Sequence, residues 1–311
     1  MLVAQKPQKK ARRTAIDLVE LPYHGTVEQE HEGEVRRGKA KRGTTHFFVY
    51  ATAYLIYKGR RYTLCLYRVR AEQSMHDVLK KILRRLKKIN YRTSLLLLDR
   101  GFYSTKVIRY LQRRDTPFIM PVVKRGKKPD EEGGPTGTQV FAQHKSSGWH
   151  RYTVAAQDGR RATFDLAVVC RNYNGKWGRH ERETLLYVTH GVSHHSLKWV
   201  QQTYRQRFGI ESSYRQHNQA KIKTSTRNPV LRLLFYSIAV VLRNIWVWLH
   251  IEVLAAPRQR ARVLKLRCLQ FKKMLAWLMS SILRFYKIAD NIPTSKDIYE
   301  VARGYESILN Y

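Results

Sequence analysis

The run Leu95-Leu96-Leu97-Leu98 constrains the fold of this chain more than any other feature. Four consecutive leucines present no polar face, so an extended segment built from them needs apolar cover on both sides. A strand inside a parallel sheet, with helices above and below, meets that condition. Asp99, Arg100 and Gly101 then end the run with turn chemistry. The flanks agree. Upstream, Val78, Leu79, Ile82, Leu83, Leu86 and Ile89 recur at helical spacing behind a capping start at Ser74 and Asp77. Downstream, a helical segment from about Ser104 to Arg113 leads into a second apolar run, Pro117 to Val123, which completes a strand-helix-strand unit.

Elsewhere the patterning alternates between β and α. Thr14 to Leu21 reads as a strand around Asp17, ended by Pro22 and Gly25, and the charged residues 26 to 45 read as a loop. His46 to Tyr57 and Tyr62 to Arg70, separated by a turn around Gly59, give a hairpin signal. Glycine, proline and charge cluster from Arg125 to Gly137. Short β-rich segments follow near Gln139 to Gln143, His150 to Ala156, Thr163 to Cys170 and Glu183 to Thr189. Ser196 to Ala220 is expected to be helical with a weak point at Gly209, Pro229 to Glu252 forms an apolar helix, and Arg258 to Lys287 a basic amphipathic one.

The expected architecture is α/β, a mixed-sheet core with an inserted β-rich subdomain and a helical C-terminal part. Its expected divisions are a basic tail (1–13), the first part of the core (14–124), the insertion (125–195), a helical completion carrying Glu211 (196–252) and a basic helical region (253–311).

Charge narrows the partner. Lysine and arginine outnumber aspartate and glutamate 59 to 23, a net charge of +36, which points to a polyanion and excludes an acidic, halophile-type surface. Residues 80–88 and 258–273 read as basic faces that track a phosphate backbone without reading sequence. Three scattered cysteines, with no Cys-x2-Cys pair, support neither a disulfide framework nor a cysteine zinc site and suit a reducing cytoplasm. Arg232 and Arg243 interrupt the apolar stretch Val230 to Ile251, which is therefore read as a buried helix and not a membrane span.

Three carboxylates stand out: Asp17 in the first strand, Asp99 at the end of the buried strand, and Glu211 on a helix after the insertion. The strand-hairpin-helix-strand order makes the Asp17 and Asp99 strands parallel neighbours, at the end where α/β sheets gather their ligands. Two adjacent carboxylates repel unless they share a proton or a hard divalent cation, and a pair of such cations about 4 Å apart is a clamp for in-line displacement at phosphate. At about 100° per residue, Tyr204, Arg207, Glu211 and Asn218 share one helical face. That face offers a carboxylate, a cation and a hydroxyl to a phosphodiester. The alternatives are a capping role for Asp99 and pairing of Glu211 with Arg207 or Arg215.

The string Tyr204-x2-Arg207-x3-Glu211, with LLLLDRGFYS around Asp99 and AIDLVELPYHG around Asp17, resembles the DDE transposases of insertion sequences. The closer likeness is to the branch with a β-strand insertion and a Tyr-x2-Arg-x3-Glu-x6-Lys signature. The resemblance spans residues 14 to about 250 and implies a ribonuclease H-like core. It also implies that Asp17, Asp99 and Glu211 hold two Mg²⁺ or Mn²⁺ ions for cleavage and strand transfer on double-stranded DNA, in a homodimer assembled on it. Tyr204 and Arg207 match phosphate-contacting positions, Trp149 and Trp177 lie in the insertion where some relatives stack a flipped base, and Arg100, Arg215 and Lys221 are further DNA-contact candidates. Two departures stand out. Asn218 occupies the signature lysine position, with Lys221 nearest but off the shared face. The chain also starts 16 residues before Asp17, where relatives carry a helical DNA-binding domain. That start implies either a shortened or split frame or end recognition by the insertion and the basic C-terminal part. A nuclease of the same fold and a non-catalytic nucleic-acid-binding fragment are the competing expectations.

Overall fold

A computed structural model describes residues 12–27, 32–57, 60–127, 132–174, 180–254, 256–258, 261–263 and 269–286. The chain divides between Ser212 and Ser213 into two compact units. In the first, the strands are β1 (Arg12–Tyr23), β2 (Arg36–Lys41), β3 (Thr44–Tyr57), β4 (Arg60–Val69), β5 (Thr93–Leu98), β6 (Phe118–Pro121), β7 (Gly148–Ala155), β8 (Arg161–Asn174) and β9 (His180–His190). Among the described residues they form one mixed sheet in the order β2-β3-β1-β5-β6-β9-β8-β7, with β4 also pairing with β3. This is a ribonuclease H-like α/β core.

The four leucines explain the centre. β5 runs parallel to both β1 and β6, and Leu95 to Leu98 are all buried. Leu96 and Leu98 face the same side as Ile16, Phe118, Met120 and Val188, in a core completed by helices α1 (Met75–Lys88) and α2 (Thr105–Arg113). α1 starts at Ser74, whose hydroxyl oxygen accepts from the Asp77 amide at 3.2 Å. α3 (Leu197–Arg205) packs on β6 and β8, and its Tyr204 ring lies 5.2 Å from that of Tyr187 on β9. The sheet is thereby covered on both sides.

Several expectations need correction. Within residues 26–45, Arg36–Lys41 is a strand, joined to β3 through Arg42 and Gly43, both at positive φ. Its charges hid it, because an edge strand needs no apolar alternation and lysines there discourage further pairing. Residues 139–143 are not extended but belong to a 3-10 helix, Gly137–Gln143. There the Thr138 amide donates to the Arg125 carbonyl at 3.0 Å and the Thr138 hydroxyl oxygen accepts from the Arg125 amide at 2.7 Å, which commits the segment to a closed loop. The remaining strands of the insertion, β7 to β9, continue the main sheet through antiparallel pairing of β9 with β6.

In the second unit, α5 (Pro229–Glu252) is the helix expected there, and it is the one helix among the described residues long and apolar enough to cross a membrane. It is only partly buried. Tyr236, Ala239, Val240, Arg243, Trp246, Val247, His250 and Ile251 face inward, while Val230, Leu231, Leu234, Ile238, Val241 and Trp248 are exposed. Buried Arg243 is tolerated because its Nε donates to Gln216 Oε1 at 3.0 Å. The helix expected from Arg258 starts only at Phe271 (α6, Phe271–Tyr286), after a short hairpin of β10 (Ala256–Arg258) and β11 (Ala261–Val263), where Pro257 lacks the N–H a helix interior uses. Residues 264–268 and Lys287 lie outside the described residues. Among the tryptophans of the described helices, Trp246 is buried. Trp248 and Trp277 are exposed, and Trp199 is half-buried against His195.

Candidate active site

Asp17 and Asp99 meet because of register. β1 and β5 pair in parallel with Ile16 opposite Leu98, and each aspartate is the next residue of its chain. The Thr52 hydroxyl on β3 donates to the Asp17 carbonyl at 3.3 Å. Asp99 is also the cap of a short 3-10 turn, Arg100–Phe102, with its Oδ2 accepting from the Gly101 amide at 3.4 Å. The capping contact uses one oxygen of the carboxylate and leaves Oδ1 for another partner.

That partner is Arg207. It sits in a 3-10 turn, Gln206–Phe208, between α3 and α4 (Gly209–Ala220). Its Nη1 lies 3.2 Å from Asp17 Oδ1 and its Nη2 3.3 Å from Asp99 Oδ1, so one guanidinium bridges both carboxylates. The arginine and Asp17 side chains are mostly buried, at 13% and 14% exposure, while Asp99 is 35% exposed. Arg207 Nε donates to the Tyr204 hydroxyl at 3.0 Å, and that hydroxyl donates to the Leu98 carbonyl at 3.3 Å. Burial opposes the arginine's charge, but the Tyr204 oxygen, Asp17 and Asp99 together hold its pKa above the ordinary value. Burial likewise drives the Tyr204 hydroxyl upward, which keeps it a neutral donor.

The remaining candidates are placed as follows. A uniform helix through Tyr204, Arg207 and Glu211 does not form, because the 3-10 turn interrupts it. Tyr204 and Arg207 meet nonetheless, and Glu211 falls in the first turn of α4, its side chain outside what is described. Tyr204 is 4% exposed with its hydroxyl engaged inside the protein, so in this structure it orients Arg207 and Leu98. Arg100 is exposed beside Asp99. Trp149 is half-exposed on β7, five strand spacings from β1, about 24 Å at the usual 4.8 Å per strand, and so is not brought to the carboxylates. Arg215 and Asn218 are exposed and Lys221 half-exposed in the second unit, and Trp177 lies outside the described residues.

Among the described residues no three acidic, histidine or cysteine side chains converge. The donors that do converge, the Asp17 and Asp99 carboxylates, are hard oxygen ligands that already share a cation in the form of the Arg207 guanidinium. This donor chemistry suits a hard divalent ion.

Residues 8–241 match the family model described as Transposase DDE domain. The chain belongs to this transposase family. The match covers both aspartates, the bridging arginine and Glu211, well over half of the sequence. No curated protein matches the chain. Family membership makes this a nucleic-acid-cleaving enzyme of transposase type, with DNA as partner and divalent ions as the general cofactor of the family.

Sequence reasoning missed the residues that hold the bridging turn. Arg13 Nη1 donates to Gln206 Oε1 at 3.0 Å, and Arg61 Nη1 donates to the Gly209 carbonyl at 2.6 Å. The one available signal was Gly209, a glycine in a helical pattern, which marks a close approach by something else.

Proposed function

We propose that this protein is an insertion-sequence transposase that cleaves DNA strands at the element's ends and transfers them to a target. The observation that carries the proposal is the pair of carboxylates, Asp17 and Asp99, held together by parallel register and bridged by Arg207. Asp17, Asp99 and Glu211 are assigned as catalytic carboxylates that would hold two Mg²⁺ or Mn²⁺ ions. When bound, such ions supply a lowered water pKa and stabilise charge at the phosphate.

The chain's own groups do the rest. Asp99 Oδ2 stays tied to the Gly101 amide, so the carboxylate is aimed by its own turn. Asp17 is fixed through its backbone by its pairing with Thr52 on β3, one residue beyond the last rung that β1 shares with β5. Arg207, whose two terminal nitrogens each face one of the carboxylates, offers a cation beside them to neutralise a scissile phosphate. Tyr204 holds the Arg207 guanidinium in place from a site closed to water. Arg100, exposed next to Asp99, and Arg215 and Lys221 in the second unit are assigned phosphate contacts, and Trp149 a stacking surface for a base. Assembly as a homodimer on DNA is part of the same proposal.

The test is incubation of the purified protein with DNA carrying the element's ends and Mg²⁺, alongside Asp99→Ala. Strand cleavage and joining by the wild type, both lost in the variant, are expected. Cleavage that survives the substitution refutes the carboxylate assignment, and cleavage without joining removes strand transfer from the proposal.

A further inference from the structure

The turn that carries Arg207 is tethered to the sheet from two strands at once. Ile56 on β3 is paired with Arg13 on β1 and with Arg61 on β4, so the two arginines occupy one rung of the sheet. Directly paired residues point to the same face, and Arg13 shares that face with Asp17, four residues further along its strand. From this rung Arg13 reaches Gln206 Oε1 at 3.0 Å and Arg61 reaches the Gly209 carbonyl at 2.6 Å. The bonds land on the residues immediately before and immediately after the turn's Arg207-Phe208 pair. Two strand spacings, about 10 Å, separate the arginine backbones, and long guanidinium side chains suit that span.

The glycine has a reason in the same contact. A Cβ on Gly209 would overlap the Arg61 guanidinium, so any side chain there displaces the arginine from the carbonyl it holds. The φ of Gly209 is −66°, an ordinary helical value. Backbone strain therefore does not select glycine at this position, and the approach of Arg61 does. Arg61 is half buried, and burial lowers its pKa, which is the mark of a charge drawn in from solvent to make this bond.

We infer that Arg61 is a positioning residue of the transposase site: through the Gly209 carbonyl it fixes the turn that aims Arg207 at Asp17 and Asp99 and starts the helix bearing Glu211. This rests on the reading of that site as catalytic.

The experiment compares wild type, Arg61→Gln, Arg61→Lys, Gly209→Ala and the Arg61→Gln/Gly209→Ala double variant. It measures single-turnover DNA cleavage, DNA affinity, thermal melting, and the hydrogen exchange of the Arg207 Nε–H by side-chain NMR without DNA or metal. Arg61→Gln is expected to slow cleavage about 10- to 100-fold, the scale of a misplacement near 1 Å. DNA affinity should stay at the wild-type value, and the Arg207 Nε–H should exchange faster. Arg61→Lys, which keeps a donor, should recover most of the rate. Gly209→Ala should reproduce the loss, and the double variant should be no slower than either single one, because both remove one contact. Should Arg61→Gln fail to melt cooperatively, the Lys and Ala variants carry the same comparison.

A wild-type rate and wild-type exchange in Arg61→Gln overturn the inference. A loss of affinity equal to the loss of rate also overturns it, by making Arg61 a DNA contact. If the wild type cleaves no DNA, the transposase proposal fails, and the Arg207 exchange rates alone then decide whether Arg61 positions the turn.

Discussion

Replacing Tyr204 by phenylalanine removes a single oxygen from the most enclosed part of the site. That oxygen accepts from Arg207 Nε at 3.0 Å and donates to the Leu98 carbonyl at 3.3 Å, in a residue 4% exposed. A neutral hydrogen bond contributes about 0.5–1.5 kcal/mol net and one to a charged group about 1.5–3 kcal/mol. Simple addition gives roughly 2–4.5 kcal/mol. Arg207 keeps its two carboxylate contacts after the change, so its fork can relax and the lower end applies, about 2 kcal/mol. Urea unfolding followed by circular dichroism should show a lower midpoint with an unchanged slope. Cleavage should slow about tenfold because Arg207 is aimed less well, while DNA affinity should hold, since a hydroxyl buried inside the protein has no phosphate to lose. A variant as stable and as fast as wild type refutes the positioning argument. A fall in affinity equal to the fall in rate would restore Tyr204 as a direct phosphate contact.

Further expected outcomes follow from other buried and basic groups. Burial pushes the Tyr103 and Tyr187 hydroxyls up to about 12, so their stabilising contribution is complete below the unfolded value near pH 10 and is lost as pH rises through 12. Urea midpoints should therefore fall between pH 10 and 12. Tyr103→Phe should remove part of that fall without destabilising at pH 8, because the Tyr103 hydroxyl has no hydrogen-bond partner among the described residues. In the second unit, burial and then Arg243 drive His217 down to about 3. A depressed folded value means stability present above about pH 6.5 and lost as pH falls toward 3, and His217→Gln should flatten that acid limb in the same assay. On α1, Lys81, Arg84 and Lys88 are exposed, whereas Arg85 donates to the Leu66 carbonyl at 2.6 Å. Changing those three to alanine should lower the slope of log affinity against log salt by up to about 0.9 per residue, and an unchanged slope would remove this face from the DNA contact.

What was legible in the sequence is what periodicity and local chemistry determine. The Leu95 to Leu98 run gave a strand covered on both faces, and the strand order placed Asp17 beside Asp99, because a parallel pair in register puts successive residues at one sheet edge. Ser74 and Asp77 gave the start of α1 by a contact three residues long. Illegible were the features set by partners far along the chain. Arg36–Lys41 carries no alternation because its only described neighbour is β3. The break at Gln206–Phe208 was visible only as a glycine after it, because what fills the space beside that glycine is an arginine 148 positions earlier. α5 looked buried because composition counts apolar residues and cannot count the surfaces available to cover them.

Arg207 shows the same limit at the centre of the site and gives it a physical reason. Sequence spacing offered it Glu211 or the scissile phosphate as partner, whereas the fold turns it onto two aspartates from strands almost 200 residues upstream and about 100 residues upstream. A chain of net charge +36 can surround two adjacent carboxylates with cations anywhere on its surface, but surface charges are screened within about a Debye length and satisfy neither lone pair geometry nor burial. A planar guanidinium, with two nitrogens free for two separate oxygens and a third for Tyr204, satisfies both. The bridge leaves Asp17, Asp99 and Arg207 with a combined charge of −1. Under the proposed function, that residue of negative charge in a strongly basic protein is the electrostatic condition under which one site would retain a hard cation while the surrounding surface would retain DNA.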